Sequence, residues 1–305
     1  MPTPQSAIIA ADGPHGLFLV LHLKPGADDA ARQATAALPA LLDEIAASAP
    51  KAQLAGSVSF GSELWSRLAP KMPQRLKPFG ELESGKLHAP ATDGDLLLHL
   101  HSARADLNYL TANRFLEPLR GHIAQAGETR AFRYLDLRDL TGFIDGTENP
   151  QEPDERYEVA LIGDEDPDFA GGSYVIAQRF VHRLERWNSM PQREQEGIIG
   201  RTKPDSVELG DDVKPPTAHI ARVVIEEEGE ELEIVRHSMP YGNASGESGL
   251  FFLAYSRDLT IFDKMLQRMF GLSGDNLHDR LMEFTEPVSG GYFFAPSVEQ
   301  LRALA

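Results

Sequence analysis

One aspartate lies inside a nine-residue turn near the middle of the chain. Residues 142–150 read GFIDGTENP, in which two apolar residues precede Asp145 and a glycine follows it. Asp-Gly and Asn-Pro are strong turn dipeptides, because glycine adopts positive φ and aspartate or asparagine can bond its own backbone. The segment therefore predicts a rigid corner. Two interpretations stay open: Asp145 only completes an Asx turn, or it lies in an apolar pocket where desolvation tunes its proton chemistry.

A histidine and an arginine further along the chain could act with this acid. His219 follows Pro215 and Pro216, which restrict the backbone that leads to it. Arg236 comes at the end of an apolar stretch, where a guanidinium is costly unless it meets an anion or a ligand. The alternative for Arg236 is a salt bridge to the acidic residues 226–231. The three side chains would together provide a proton carrier, a nitrogen ligand and a fixed cation.

The composition excludes several functional classes. The chain has 305 residues, 42% of them hydrophobic, and a formal net charge of −17, which argues against binding nucleic acid or an anionic membrane. Cysteine is absent, which excludes disulfides, thiolate metal ligands, iron–sulfur clusters, cysteine-linked haem and a cysteine nucleophile. The start of the chain has no signal-peptide pattern, and no stretch reaches the roughly 18 apolar residues of a membrane span. We therefore expect a cytoplasmic protein without a membrane or nucleic-acid partner.

The hydrophobic pattern of the first half predicts the order strand, helix, strand, loop, strand, helix, strand. The predicted strands lie at 17–21, 54–60, 95–101 and 129–135, and residues 7–10 form either a further strand or part of a bend. The predicted helices begin at Asp28 or Asp29 and at Arg104, the second one running to Ala126. Residues 66–94, which are rich in proline and glycine, are expected to form a surface excursion.

The second half follows a similar pattern after a long acidic loop at residues 146–172. Strands are predicted at 173–181 and 249–255, helices at 183–197 and 260–270, and a hairpin with strands at 220–225 and 232–235. The predicted strand segments 94–100 and 249–255 are alike, and each is followed by a predicted helix. The fold class predicted is therefore α+β, with two domains of like design at residues 1–138 and 139–305, each an antiparallel sheet with helices packed on it.

Four motifs in this order resemble those of the dye-decolourising peroxidases, specifically the bacterial class formerly called B. The motifs are GFIDGTENP at 142–150, GGSYV at 171–175, AHI at 218–220 and VRHSMPYG at 235–242. The two-domain pattern agrees along nearly the whole chain. The resemblance implies two ferredoxin-like domains and one haem b per chain, bound non-covalently in the C-terminal domain, with which the absence of cysteine agrees.

The resemblance also implies the function and the roles of the three main residues. His219 matches the axial ligand of the iron, Asp145 the distal acid and Arg236 the distal arginine. A carboxylate can move a proton between the two oxygens of peroxide, and a guanidinium can stabilise charge as the O–O bond breaks. The implied reaction reduces hydrogen peroxide to water and oxidises dyes, phenolics or other one-electron donors through an oxo-ferryl intermediate.

Three further residues are candidates on the same resemblance. Ser238 occupies a position where some relatives carry asparagine, and its hydroxyl could bond distal water or peroxide. Phe252 is either an apolar wall over the haem or an ordinary core residue of its strand. Arg201 is either a partner of a haem propionate or a solvated loop charge. The acid that makes His219 more electron-donating stays open between residues 226–231 and the loop after Asp145.

The remaining histidines and aromatics allow simpler explanations. His99 and His101 share one face of a strand, but a metal site needs a third ligand and the nearby sequence offers none. Trp187, Tyr174, Tyr241 and Tyr255 are either electron relays for bulky dyes or core residues that only pack.

Two other functions compete with a peroxidase. A haem-binding or iron- or haem-handling protein with incidental peroxidase activity needs only His219, so the presence of Asp145 and Arg236 favours the enzyme. A haem-free hydrolase that uses Asp145 and His219 lacks a nucleophile or oxyanion motif. The partners expected are hydrogen peroxide, small-molecule electron donors and further copies of the chain, since self-association is common in the family. The last residues, 301–305, show no extension, so loading into a protein shell is not expected.

Overall fold

A βαββαβ unit forms the first half of the protein. The computed structural model describes residues 2–305, and in the first half it contains α1 (Ser6–Ile9), β1 (His15–Leu23), α2 (Asp28–Ser48), β2 (Ala55–Phe60), α3 (Ser62–Leu68), β3 (Leu82–Ser84), β4 (Leu87–Ala89), β5 (Leu96–Ser102), α4 (Ala105–Phe115) and β6 (Ile123–Phe132). Strands β3 and β4 form a small separate hairpin within the predicted surface excursion.

A second βαββαβ unit follows. Its elements are α5 (Pro153–Ala160), β7 (Ser173–His182), α6 (Leu184–Asn188), α7 (Gln192–Ile199), α8 (His219–Val223), β8 (Glu226–Glu227), β9 (Glu230–Glu231), β10 (Val235–Arg236), β11 (Met239–Gly242), β12 (Ser248–Ser256), α9 (Leu259–Met269), β13 (Thr285–Pro287), β14 (Gly291–Ala295) and α10 (Val298–Arg302). Among residues 2–305, no helix combines the length and the apolar character that crossing a membrane requires.

The main strands of both halves have the same order in the sheet. They lie as β2-β5-β1-β6 in the first half and as β10-β12-β7-β14 in the second, with antiparallel neighbours. Both orders place the third strand of the unit between the second and the first, which is the ferredoxin-like arrangement. The halves join into one 10-stranded sheet where Phe294 of β14 pairs with Phe60 of β2. The predicted α+β fold with two ferredoxin-like units is confirmed, while the boundary at residue 138 stays a prediction.

The core fills both faces of this sheet. All residues of β5 are buried, and their side chains alternate between two apolar clusters. Leu98 packs with helix residues such as Leu38, whereas Leu97 packs with Phe18 and Phe251 on the other face. Because both faces are covered, β5 is apolar except for its two histidines and Ser102.

Three predicted elements differ from the structure. Residues 7–9, for which a strand or a bend was expected, belong to α1, because an apolar run of four is too short to show its period. The helix predicted over 104–126 ends at Phe115, since Pro118 cannot continue it, and Ile123 already begins β6. The helix predicted over 183–197 is two helices, and Pro191 begins the second of them.

The predicted hairpin after His219 is also wrong. Residues 219–223 form α8, and the only hairpin in this part of the described chain is the short pair β8 and β9 at the acidic tip. Isoleucine and valine in this stretch favour a strand, but Pro215 accepts the N–H of Ala218 and the chain turns into a helix. His219 is therefore the first residue of a helix and not of a strand.

Candidate active site

A large apolar cavity lies in the second half, between the sheet and helices α8 and α9. Its empty volume is about 1550 Å³, including open solvent at its mouth. Strands β7 and β12 and helix α9 supply large apolar side chains to its walls, namely Ile176, Phe180, Leu250, Phe252, Met265 and Met269. Asp258 caps the start of α9 by accepting the N–H of Thr260, which fixes the helix that presents the two methionines. The cavity is suited to a large, flat and mostly apolar ligand.

His219 lines this cavity and is held by a buried acid. Its Nδ1 lies 2.6 Å from Oδ2 of Asp279, whose side chain is fully buried. Since a carboxylate only accepts, Nδ1 carries the proton and Nε2 offers its lone pair. Asp279 is itself fixed, because its Oδ1 accepts the N–H of Leu281 at 2.8 Å. The imidazole is therefore an oriented nitrogen ligand with a carboxylate behind it.

Both regions that the sequence suggested for this acid are wrong. Neither residues 226–231 nor the loop after Asp145 bonds His219; Asp279 does so from the end of the segment that follows α9. Its one local signal is its position directly before the short 3-10 helix Arg280–Glu283, where aspartate is a common cap. That signal predicts a cap and gives no reason to connect the residue with His219.

Asp145 and Arg236 meet at the same cavity. Nη1 of Arg236 lies 3.5 Å from Oδ1 of Asp145, and both side chains are mostly buried. The turn fixes the acid, because Asp145 donates its N–H to Leu137 and its Oδ1 accepts the N–H of Gly146, which has a φ of +80°. The charge partner of Arg236 is therefore Asp145 and not the acidic tip at 226–231. The second oxygen of the carboxylate, Oδ2, has no hydrogen-bond donor among residues 2–305.

Ser238 and Phe252 also line the cavity. The hydroxyl oxygen of Ser238 accepts the N–H of Leu253 at 3.3 Å, so its hydrogen is available to a ligand. Phe252 is only partly buried and alternates with core residues along β12, which makes it a wall of the cavity. The structure thus brings both candidates to the site without assigning them a role.

Arg201 lies at the wall with one unused donor. Its guanidinium pairs with Glu148, lies 3.7 Å from Glu208 and donates to the carbonyl of Ser206 at 2.6 Å. Its Nε is buried without a partner among the described residues. The interpretation of Arg201 as a solvated loop charge is wrong, because only 13% of the side chain is exposed. A buried donor without an acceptor fits an anionic group of a ligand in the cavity.

A second histidine–aspartate pair lines the cavity wall. Nε2 of His182 lies 3.0 Å from Asp139, and Asp139 also accepts the N–H and the hydroxyl of Thr141. Burial by itself would raise the pKa of Asp139, but His182 and the two bonds from Thr141 outweigh it and lower the pKa below its usual value. Asp139 therefore stays ionised and holds the start of the loop that carries Asp145.

Sequence and structure comparisons agree with this geometry. The family models for Dyp-type peroxidases match the N-terminal domain at residues 5–133 and the C-terminal domain at residues 136–300. The chain belongs to the Dyp-type peroxidase family. A dye-decolorizing peroxidase of Mycolicibacterium paratuberculosis is 41% identical over 98% of this chain and 85% of the relative. The matched models together span nearly the whole chain, in agreement with the sequence motifs.

Solved structures of the family superimpose closely. A dye-decolorizing protein from V. cholerae has a TM-score of 0.93 and is 47% identical, covering 98% of this chain and 99% of that one. A variant of DypB from Rhodococcus jostii, solved in complex with heme, has a TM-score of 0.92 and is 37% identical, covering 99% of each chain. The Dyp-type fold is therefore shared over the full length of the chain.

The aromatic side chains considered as electron relays all lie inside this Dyp-type fold. Trp187, Tyr174, Tyr241 and Tyr255 are each at most 5% exposed. Trp187 packs against Phe143 and donates its N–H to the carbonyl of Thr141, in the loop that leads to Asp145. Because none of the four side chains is exposed at the surface, the structure favours packing, and not electron transfer to bulky dyes, as their main role.

Proposed function

We propose that His219 holds the haem iron through Nε2 and that Asp145 and Arg236 act on hydrogen peroxide in the same cavity. As a member of its family, the chain is a haem-dependent peroxidase. One observation carries the assignment of residues: Asp145, Arg236 and His219 line a single apolar cavity, and the buried Asp279 holds His219 from behind. The C-terminal domain, proposed to begin at residue 139, contains all four side chains.

The residues of the cavity fit haem b. Apolar walls suit the macrocycle, and the unused Nε of Arg201 suits a propionate. Ser238 is proposed to donate its hydroxyl to water or peroxide, and Phe252 to form an apolar wall beside the ring. Haem, when bound, supplies the iron that binds peroxide and the electrons that break its O–O bond. Asp279 keeps the proton on Nδ1 of His219 and makes the imidazole a stronger donor.

Asp145 is proposed to move the proton of the substrate. Its Oδ1 is engaged by Gly146 and approached by Arg236, whereas Oδ2 is available. Oδ2 accepts a proton from one oxygen of hydrogen peroxide and returns it to the other, which then leaves as water. The guanidinium of Arg236 stabilises negative charge on the departing oxygen. Apolar walls exclude water, which strengthens both effects.

We further propose the setting in which the enzyme works. Its electron donors are dyes, phenolics or other small one-electron donors, and the chain works in the cytoplasm as a homo-oligomer. Light scattering coupled to gel filtration tests this proposal, and a molar mass equal to that of one chain would contradict it.

Rapid mixing of the ferric haem-loaded protein with hydrogen peroxide tests the function. A fast spectral change whose rate rises linearly with peroxide concentration is expected, and Arg236→Leu should keep its haem but slow that change by at least about 100-fold, the usual loss for one charge-stabilising donor. Arg257→Leu is a matched control, because Arg257 lies in the same half, pairs with a carboxylate, Glu165, and lies outside the cavity. A haem-handling protein would show no fast change with the wild-type chain. An Arg236→Leu variant as fast as the wild type would contradict the roles assigned here.

A further inference from the structure

We infer that Asn149 is a positioning residue that aims the guanidinium of Arg236 at the peroxide; this inference rests on the proposed function. Asn149 closes the nine-residue turn that contains Asp145. Its side-chain amide makes two hydrogen bonds to the backbone of Arg236, 87 residues further along. Oδ1 accepts the N–H of Arg236 at 2.8 Å, and Nδ2 donates to the carbonyl of Arg236 at 2.8 Å.

The position of Arg236 in the sheet explains why its backbone needs this partner. Arg236 lies opposite Ala254 of β12, and the next residue, His237, donates its N–H to Leu253. Because backbone groups alternate in direction along an antiparallel strand, the N–H and the carbonyl of Arg236 point away from β12. Strand β10 is the last strand at this end of the sheet. The amide of Asn149 therefore takes the place that a further strand would have.

The same residue is tied to the acid. The N–H of Asn149 donates to the carbonyl of Gly146 at 3.1 Å, and the N–H of Gly146 donates to Oδ1 of Asp145 at 2.7 Å. With the approach of Arg236 to Asp145 at 3.5 Å, these contacts close a ring through the turn and the strand. The ring fixes the distance between the proton carrier and the cation from the backbone side.

The side chain of Arg236 has little else to orient it. Among residues 2–305, its guanidinium makes one ion pair, to Asp145, and donates no hydrogen bond. Its direction therefore depends on where its backbone is held. Displacing a catalytic group by about 1 Å can cost about 100-fold in rate. Asn149 acts on the reaction through Arg236 and does not itself line the cavity.

The test compares three variants in the haem-loaded protein. Asn149→Ala removes both bonds to Arg236, whereas Asn149→Asp keeps an acceptor for its N–H and loses the donor to its carbonyl. Gln151→Ala is the matched control, because Gln151 donates to the backbone carbonyl of Asn149 at 2.6 Å and does not contact Arg236. Haem content and the unfolding midpoint establish that each variant is folded. If Asn149→Ala does not fold, the comparison uses Asn149→Asp in its place.

Two readouts are expected to change together. Asn149→Ala should slow the reaction with peroxide by about 10-fold or more and weaken fluoride binding to the ferric protein by a similar factor, because the bound anion loses the aimed cation. Asn149→Asp should lie between Asn149→Ala and the wild type, and Gln151→Ala should match the wild type. In an Arg236→Leu background, Asn149→Ala should cause no further loss.

The double variant decides between positioning and general destabilisation. If Asn149→Ala slows Arg236→Leu by the same factor as it slows the wild type, the two residues act independently and the inference is overturned. Unchanged fluoride affinity in Asn149→Ala would overturn it as well. If the wild-type protein does not react with peroxide, the proposed function fails, while the fluoride affinities still decide whether Asn149 positions Arg236.

Discussion

At the scale of single residues, the site depends on two carboxylates that each hold one cationic or basic partner. Asp279 accepts a hydrogen bond from His219 and orients its ring, and Asp145 forms an ion pair with Arg236. The sequence identified three of these four because local motifs mark them. It could not identify Asp279, which lies 60 residues beyond His219 and reaches it only through the tertiary fold. Asn149 was visible as a turn residue, but its bonds to Arg236 appear only when the turn meets the edge of the sheet.

Asp279→Asn should leave the shape of the site intact and make His219 a weaker electron donor. Asparagine can still accept from Leu281, but it removes the negative charge behind His219. We expect haem to bind, the ferric–ferrous reduction potential to rise, and the reaction with peroxide to slow by about 10–100-fold, the usual effect of losing a partner of a metal-binding histidine. Spectroelectrochemistry measures the potential. Asp275→Asn is the control, because Asp275 pairs with Arg222 instead; equal potentials for the two variants would refute the role of Asp279.

At the scale of elements, the loop from Asp139 to Pro150 is fixed at both ends. Asp139 bonds His182 and Thr141 at one end, and Asn149 bonds Arg236 at the other. Turn chemistry predicted the rigid corner correctly. It could not predict that His219 begins a helix, because a run of isoleucine, alanine and valine fits a strand as well as a short helix, and only the packing of α8 against α9 decides.

The two glycines of this loop should differ in their tolerance of a side chain. Both have positive φ, +90° at Gly142 and +80° at Gly146. A Cβ at Gly146 meets open space, so Gly146→Ala should cost about 1–2 kcal/mol, the penalty of the left-handed backbone alone. A Cβ at Gly142 would come within 2.5 Å of Cε of Lys203, which stacks on Phe143, so Gly142→Ala should cost more. Chemical denaturation of the two variants gives the comparison, and equal free energies of unfolding would contradict it.

At the scale of the whole molecule, a buried histidine cluster joins the two halves. His237 of the second half bonds Asp12 at 2.7 Å and the carbonyl of Ile8 at 2.9 Å, so both of its nitrogens donate and the ring is an imidazolium. His101 accepts the N–H of Gly13 through Nδ1, which leaves the proton on Nε2. The expectation that no third metal-ligand residue lies near His99 and His101 is wrong, since Asp12 and His237 do. The hydrogen bonds nevertheless make Asp12 and His237 an ion pair. Neither His101 nor His237 has a free ring lone pair with which to bind a cation.

The cluster predicts how stability changes with pH. Burial alone would lower the pKa of His237, but Asp12 outweighs it and raises that pKa above 6.5. Burial alone would raise the pKa of Asp12, but His237 outweighs it and lowers that pKa below 3.8. The pair therefore stabilises the fold fully between those two values; its contribution is lost as pH falls through the folded pKa of Asp12 and as pH rises through that of His237.

Asp12→Asn should remove this contribution. The loss in the free energy of unfolding should be about 3 kcal/mol near pH 5–6, as for breaking one partner of a buried ion pair, and it should shrink at pH above the raised pKa of His237. Chemical denaturation across pH 5–9 measures it. Asp136→Asn is the control, because Asp136 is 66% exposed and pairs with Arg138 instead. A loss independent of pH would show that Asp12 and His237 are not an ion pair.

At acidic pH, His101 has the opposite effect and destabilises the fold. Burial lowers the pKa of His101 to about 4, although Asp12 acts in the other direction, so His101 is neutral in the fold. In the unfolded chain, His101 binds a proton below its ordinary pKa of 6.5. The neutral, buried His101 therefore lowers the free energy of unfolding as pH falls from 6.5 towards 4. The sequence predicted two domains of like design, but it could not predict the cluster between them, because its residues lie far apart in the chain.

Titration of the haem-free protein with hemin, followed by visible absorption, tests the central claim most directly. The wild type is expected to bind one hemin per chain with the spectrum of a histidine-ligated ferric haem. His219→Ala should bind it weakly or lose it on gel filtration, while His278→Ala, which removes a histidine outside the cavity, should match the wild type. A wild-type chain that stays colourless, or a His219→Ala variant with the affinity and spectrum of the wild type, would contradict the account.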